Sequence, residues 1–398
     1  MWKRFIIPVI LLAALAFGVQ RFLSWRAGER EVVRQMHARN LEHGGPMDKV
    51  VAAEYFLESD SRNEKLRFIR AENLILLSRH REARIELRGL IENRTEQVDR
   101  AVTMMIDSFF EEAESIIRRA DPSGFSGAQQ EVIVLMDGVR GTSQLYPKTS
   151  SQLRLAIVEG RRLDALIRVH SVGLADRRVE LAKAQLSGLA ETIEKVGIEV
   201  KDLEREVSTL GRQLVDSCKK ALSISPSEPR AIELLFHLHL REGRFDEARD
   251  AARQLAAMKS LPTEIAGRVA DALLDLEATY GQVVTRADVD LAASLLEHPK
   301  LEGDHTIALA VAQTSLALQR GNAELAEQLA LPYLKRDPLY SRLRVLWAIA
   351  RVRQGDADTA LKHLAQYSER QRDARTLYAL GLAYLAKGQS HNTNLGNE

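Results

Sequence analysis

Of 398 residues, only Cys218 is a cysteine, so neither an intrachain disulfide nor a cysteine-built zinc site can form. A chain without disulfides suits either redox environment, and the compartment stays open on that ground. Aromatic residues make up 5%, and Lys+Arg 56 against Asp+Glu 55 leaves a net charge of +1. The basic stripe with interleaved stacking aromatics that marks a nucleic-acid binder is therefore missing. No phosphate-binding glycine loop is present either, because "DGVRGTSQ" lacks the lysine that would reach a phosphate. His237 and His239 lie two apart on a helical pattern, hence on different faces, whereas metal pairs on helices need three or four. Asp288 and Asp290 follow Arg286, and acidic residues in a helix's first turn are explained by its dipole. Cys218 has Lys219 and Lys220 beside it, which would favour a thiolate; its place on a helical apolar pattern favours a structural thiol. No catalytic, cofactor-binding or metal-ligating residue emerges.

What is there begins at the N-terminus. Lys3 and Arg4 precede an apolar run from Phe5 to Val19, extended by Phe22, Leu23 and Trp25. That is just enough to span a bilayer as one helix, with Arg21 snorkelling and Trp25 among headgroups. Residues 1–27 are thus expected to be a single-pass membrane anchor of undetermined side. The rival is a cleaved signal segment ending near Ala14 and Ala16, which would make the protein secreted or periplasmic. Arg21, Arg26 and Arg30 directly downstream oppose translocation and favour the anchor.

Internal periodicity sets the rest. Gly321, Gly355 and Gly388 are separated by 34 and 33 residues, each closing an apolar helical pattern, and Ala326 and Ala360 stand five residues after the first two. Upstream, "REGRFDEARDAARQL" repeats the arrangement with Gly243, Phe245 and Ala248. In "ARTLYALGLAYLAKGQ", Leu377, Leu380, Gly381, Tyr384 and Gly388 supply the helix-A positions; Ala326, Ala330, Tyr333 and Pro338 close another unit, and Trp347, Ala348, Gly355 and Ala360 a third. This pattern resembles the tetratricopeptide repeat, whose period is about 34 residues. The resemblance is specific from Pro229 onward. It is weaker in Glu64–Asn93, which keeps Ala71 and Ala83, and in "VEGRRLDAL", which keeps Gly160 and Ala165 but has Arg162 at the aromatic position. Between Gly243 and Gly321 an intervening hairpin carries an insertion, with loops at "TYGQVVTRADVD" and "EHPKLEGDH".

One segment departs from that frame. From Asp176 to Leu222 there is no proline; Val179, Leu186, Ile193, Val200, Val207 and Leu214 recur every seven residues, and Ala182, Leu189, Val196, Leu203 and Leu210 fill the alternate seam. Such a heptad suits a dimerising coiled coil over 176–222. It equally suits one long helix folded onto Ser150–His170 through a turn at "SVGLAD", which the glycines at 188, 197 and 211 favour.

The expected architecture is all-α: a right-handed superhelical array of antiparallel helix hairpins, a tetratricopeptide-like α-solenoid, with one long heptad-patterned helix in the middle and an N-terminal transmembrane helix. Its parts are the anchor, a helical repeat region over 45–122, a helical region over 123–222, an array over 229–389 and a disordered tail over 390–398. The terminal helix is expected to bury Leu377, Leu380 and Tyr384 against Leu361 and Leu364, or else to offer an apolar edge to a partner. The resemblance implies a membrane-tethered scaffold or adaptor, not an enzyme, that holds a protein or peptide partner in a concave groove. By that analogy the groove is lined by Arg230, Glu233, His237, Arg241, Arg342, Val345, Ile349, Arg375 and Tyr378, whose arginine bias suits an acidic or carboxylate-bearing ligand. Two other readings stand beside it: an enzyme or sensor with its site in the irregular middle, Ser123–Ser150, and a passive coiled-coil spacer.

Overall fold

A computed structural model describes residues 31–93, 97–119, 125–145, 152–302, 306–336, 341–365 and 374–395. The expected anchor, residues 1–27, lies outside them. Among the described residues no helix is long and apolar enough to cross a membrane. The chain divides into two compact units, one of residues 1–115 and 134–150, the other of 116–133 and 151–398.

The first unit contains α1 (residues 31–43), α2 (Pro46–Ser59), α3 (Glu64–Leu76), α4 (His80–Glu92), most of α5 (Val98–Arg119) and the C-terminal half of α6 (Phe125–Ser143). The first three of these apart from α1 pack in succession, α2 on α3 and α3 on α4. Asn63 caps α3 by accepting from the Leu66 amide at 3.1 Å. Phe68, Ala71, Leu87, Leu90, Ala101 and Met105 form the core between α3, α4 and α5. The middle region expected to be irregular is mostly α6, whose run "EVIVLMDGV" buries Val132, Leu135, Met136 and Val139; the flanks at 120–124 and 146–151 lie outside the described residues.

The second unit opens with α7 (Gln152–Ser187) and α8 (Ala190–Ile224), a long antiparallel pair. Here the structure corrects the sequence reading: no single helix spans 176–222. "SVGLAD" is helical, and the chain turns instead at Gly188, whose φ of +67° is left-handed. Leu189 N–H then donates to Ala184 C=O, the bond that closes a Schellman-type cap. The same i→i−5 bond and left-handed residue recur at Ser78, Gly243, Gly321 and Gly355. One local motif thus makes every such turn. Gly160, by contrast, closes nothing; it sits inside α7, where an added Cβ would meet Leu234 at 3.0 Å.

After the long pair come α9 (Pro229–Arg241) and α10 (Phe245–Ala256), then α11 (Thr263–Leu274), the short α12 (Leu276–Tyr280) and α13 (Arg286–Leu296). Next are α14 (Ile307–Gln319) and α15 (Ala323–Arg336), α16 (Ser341–Arg353) and α17 (Ala357–Leu364), and last α18 (Ala374–Leu395). Helices α9, α11, α14, α16 and α18 touch one another in that order and form one layer; each also pairs with a neighbour in a second layer. Close approach has a visible cause between α11 and α14, where a Cβ on Gly267 would fall 2.5 Å from the Leu309 amide nitrogen. Strand β1 (Leu261–Pro262) pairs in parallel with β2 (Leu301–Glu302), fastening the insertion. The buried apolar residues run from Ile232 to Leu316 in one cluster and from Val311 to Ala383 in the next.

Two further expectations change at the C-terminus. Helix α18 does not close at Gly388 but continues to Leu395, so residues 390–395 of the expected tail are helical. A mid-helix glycine costs only about 1 kcal/mol relative to alanine, and no proline follows to stop the helix. Within α18 the buried face is Thr376, Ala379, Leu380 and Ala383, while Leu377 and Tyr384, about a quarter turn round the helix from the middle of that face, are exposed.

Candidate functional site

Two short helices of the second unit carry charge at helical spacing. On α9 these are Arg230, Glu233, His237 and Arg241; on α11 they are Glu264, Arg268, Asp271 and Asp275, the last at its C-cap. Spacings of three and four put each set on one face. The α9–α11 contact then brings the sets together. Glu233 is 2% exposed and accepts from Arg230 Nη1 at 2.9 Å and Arg268 Nε at 2.6 Å. Arg268 also pairs with Glu264, and Arg230 approaches Glu264 at 3.5 Å. Farther along α9, Arg241 pairs with Asp164 of α7.

The stripe continues onto α16 and α18. Arg342 Nη2 lies 2.9 Å from both Asp271 Oδ1 and Asp275 Oδ1, and Ser315 Oγ of α14 donates to Asp271 at 3.1 Å. Arg375 Nε donates to Asp275 Oδ2 at 2.7 Å and its Nη2 to Thr279 Oγ1 at 2.9 Å. This bond joins residues one hundred apart in sequence, where α12 also packs on α18.

Burial sets the electrostatics. It pushes the Glu233 carboxyl up to about 8, with Arg230 opposing and the charges of Glu264 and Asp164 adding to the rise. It drives His237 down to about 4, against the pull of Asp164 and with the help of Arg241. Burial also works against ionised Asp164, yet Arg241 and Arg168 hold that carboxyl below its ordinary value. Tyr280 is raised by burial, with Arg241 and Arg375 opposing.

Of the residues expected to line a groove, Arg230, Glu233, His237, Arg241, Arg342 and Arg375 do fall on this one stripe. Val345 does not: α16 is enclosed by α14, α15, α17 and α18, and Val345 is part of the core. Ile349 is half-buried against the same core, and Tyr378 is exposed one turn beyond Arg375. Sequence reasoning missed Asp164, Glu264, Arg268, Asp271, Asp275 and Tyr280. The four-three-four spacing from Glu264 to Asp275 was the available signal. Because these acids meet the arginines, the stripe is not the arginine-biased surface that an acidic ligand would suit. Three donors are left over: Arg241 Nε, Arg268 Nη2 and Arg342 Nε are buried without a hydrogen-bond partner.

The remaining chemical candidates are separate and structural. Asp288 forms a capping box with Thr285 and takes two bonds from Arg249, at 2.7 and 3.2 Å, while Asp290 sits on the surface with Arg286. Cys218 is buried beside Leu214 and Leu163, and burial, aided by Asp164, pushes its thiol up to about 12. Lys219 and Lys220 do not offset this.

No protein-family model matches the sequence. No curated protein matches it either. Among solved structures the chain is similar to yeast Tom70, at 15% identity over 95% of this chain and 96% of that one, with a TM-score of 0.33. It is also similar to the Cut9–Hcn1 hetero-tetramer of APC/C, at 14% identity over 92% and 89% with a TM-score of 0.35. A third is the TPR domain of P58(IPK), at 11% identity over 89% and 97% with a TM-score of 0.23. At such scores the likeness carries no statement about function.

Proposed function

We propose that the chain is a tetratricopeptide-like scaffold, without catalytic activity of its own, that holds a protein partner at the inner face of its C-terminal hairpins and is tethered to a membrane by residues 1–27. The observation that carries the reading is the shared layer of α9, α11, α14, α16 and α18, which gathers polar side chains from successive hairpins onto one face. A partner would meet this face at its rim, where His237 keeps part of its surface and Tyr378 stands clear. Since each arginine of the stripe already has a carboxylate and the unpartnered guanidinium nitrogens are buried, the partner segment is expected to be near neutral and held by such rim side chains.

A photoreactive residue at Tyr378 in the full chain should cross-link a single dominant protein in cells, and the same residue at exposed Arg253 on α10 should not. Equal cross-linking from both positions, or none from Tyr378, would sink the inner-face assignment. Fractionation tests the tether on its own: recovery of the intact chain in the soluble fraction removes it and leaves the scaffold standing.

A further inference from the structure

Helix α7 carries two apolar seams, and only one is used. Leu174, Leu181 and Ala184 face α8, where they pack with Val196, Val200 and Leu203. Ion pairs Arg177–Glu199 at 3.1 Å and Arg178–Glu204 at 2.7 Å flank that contact. The second seam is Val172, Ala175, Val179, Ala182 and Leu186. Its spacings alternate three and four without a break, and every member is exposed, Val172 by 38%, Val179 by 55% and Leu186 by 90%. Isolated apolar residues on a surface need no explanation, but a strict heptad of them does. Helix α8 offers nothing comparable on its exposed side, where Ile198 stands among Glu194, Lys195, Lys201 and Asp202.

The flanking charges select the occupant. Beside the seam, Asp176 and Lys183 follow the second-type positions, and Arg178 and Gln185 precede the first-type positions. A second copy laid parallel would set Arg178 against Lys183, a like-charge pair, on both sides. Laid antiparallel with Val179 against Ala182, it sets Asp176 opposite Lys183 twice and Arg178 opposite the neutral Gln185 twice. Alanine at both second-type positions, Ala175 and Ala182, lets the backbones approach closely at the centre. The pattern is therefore self-complementary in one orientation, as an isologous two-fold contact requires.

We infer that the exposed seam of α7, Val172 to Leu186, is a homodimer contact that pairs antiparallel with the same seam of a second copy. This contact is not the continuous coiled coil over 176–222 that the sequence suggested. It uses only the part of the heptad before the Gly188 turn, together with residues upstream of Asp176.

Cysteine cross-linking of the full chain reads both the pairing and its direction. The native thiol of Cys218 is buried and held protonated, so it stays silent to maleimides at neutral pH. With a short bis-maleimide, purified Ala182→Cys should run as a covalent dimer, since position 182 lies near the two-fold axis. Leu186→Cys alone should not, because its antiparallel partner position is 175, and 186 − 175 = 11 residues at 1.5 Å each separate it from its own copy by about 16 Å. The double variant Ala175→Cys with Leu186→Cys should cross-link efficiently. Val179→Glu with Leu186→Glu, both at exposed sites, should abolish the dimer while leaving helicity unchanged. Lys183→Glu should weaken it, and Asp176→Lys with Lys183→Glu should restore it. Self-cross-linking of Leu186→Cys alone would overturn the antiparallel pairing. No covalent dimer from any variant, with the unsubstituted chain monomeric throughout, would overturn the contact itself.

Discussion

The α7–α8 pair and the α9–α18 array are built from the same hairpin with the same left-handed cap, yet they are held together by opposite means. The pair is two helices of 36 and 35 residues joined by one apolar seam, with its ion pairs on the surface. The array is made of helices of 5 to 22 residues that cover one another from several sides and lock one face with charges set inside. Length explains the difference. One half of the long hairpin is covered by α9 through Leu234 and Leu238, but the half toward Gly188 buries only the side turned to its mate, whereas a short hairpin is enclosed by those before and after it. Such enclosure forces the charged face of each short helix into a place where every charge needs a partner.

That contrast is broken most severely at Asp275, which is buried between Arg342 and Arg375. Asp275→Ala leaves one guanidinium wholly without a carboxylate and the other dependent on Asp271 alone. Breaking a buried ion pair from one side costs about 3–5 kcal/mol. Urea unfolding should show a loss of this size, and hydrogen exchange should locate it in α11 to α18 while the distal half of α7–α8 keeps its protection. Equal loss in both regions would mean that the second unit unfolds as one piece and that the contrast has no energetic content.

Much of this was legible beforehand, and the gaps have physical causes. Period and cap chemistry are local, so Gly243, Gly321 and Gly355 could be read from spacing alone, and each is left-handed. Ser78 does the same work with φ of 58°, so the copy at Glu64–Asn93 reads as a weak repeat without the glycine that marks the others. The heptad over 176–222 was real as a pattern, but a pattern says which face is apolar and not what covers it. Val200 and Leu203 found α7, while Val179 and Leu186 found nothing among the described residues. At the inner stripe the arginines of α9, α16 and α18 were expected as binding groups, because apart from Glu233 their acids lie on α7 and α11, outside the positions that the repeat analogy singles out. Pairing across helices is a tertiary fact that no single helix displays.

A second way to sharpen the comparison is pH, because two large shifts of opposite sign meet in the array at Glu233 and His237, whereas the pair adds only an acid-side contribution from buried His170 facing Glu206. Glu233 is raised from 4.5 to about 8 in the folded chain, so its contribution is full below 4.5 and is lost as pH rises through 8. His237 is lowered from 6.5 to about 4, so its contribution is full above 6.5 and is lost as pH falls through 4. Between 4.5 and 6.5 the two slopes have opposite sign and offset each other. Tm should therefore be level in that window and fall on both sides. Glu233→Gln should remove the fall on the alkaline side and His237→Gln should lessen the fall on the acid side, each read by thermal melts across pH. A Glu233→Gln variant that keeps the wild-type alkaline slope would show that Arg230 and Arg268 hold this carboxylate ionised despite its burial.

The smallest expected effect tests whether the turn or the seam makes α7–α8 a hairpin. Gly188 is left-handed, and a Cβ placed on it would meet nothing within 4 Å, so Gly188→Ala is strained by backbone conformation alone. For a non-glycine residue that strain is about 1 kcal/mol. A helix continuing straight through position 188 would relieve it and restore an unbroken heptad from Val179 to Leu214. Straightening, however, would strip Leu174, Val196 and Val200 from each other, and full burial of such side chains stabilises by about 1.5–3 kcal/mol apiece. The seam outweighs the turn. Gly188→Ala should thus melt slightly lower than the parent chain, with an unchanged hydrodynamic radius. An extended species in small-angle scattering, or a shift to a larger oligomer in which α8 packs on another copy's α7, would show that the glycine and not the apolar contact decides the fold of this region.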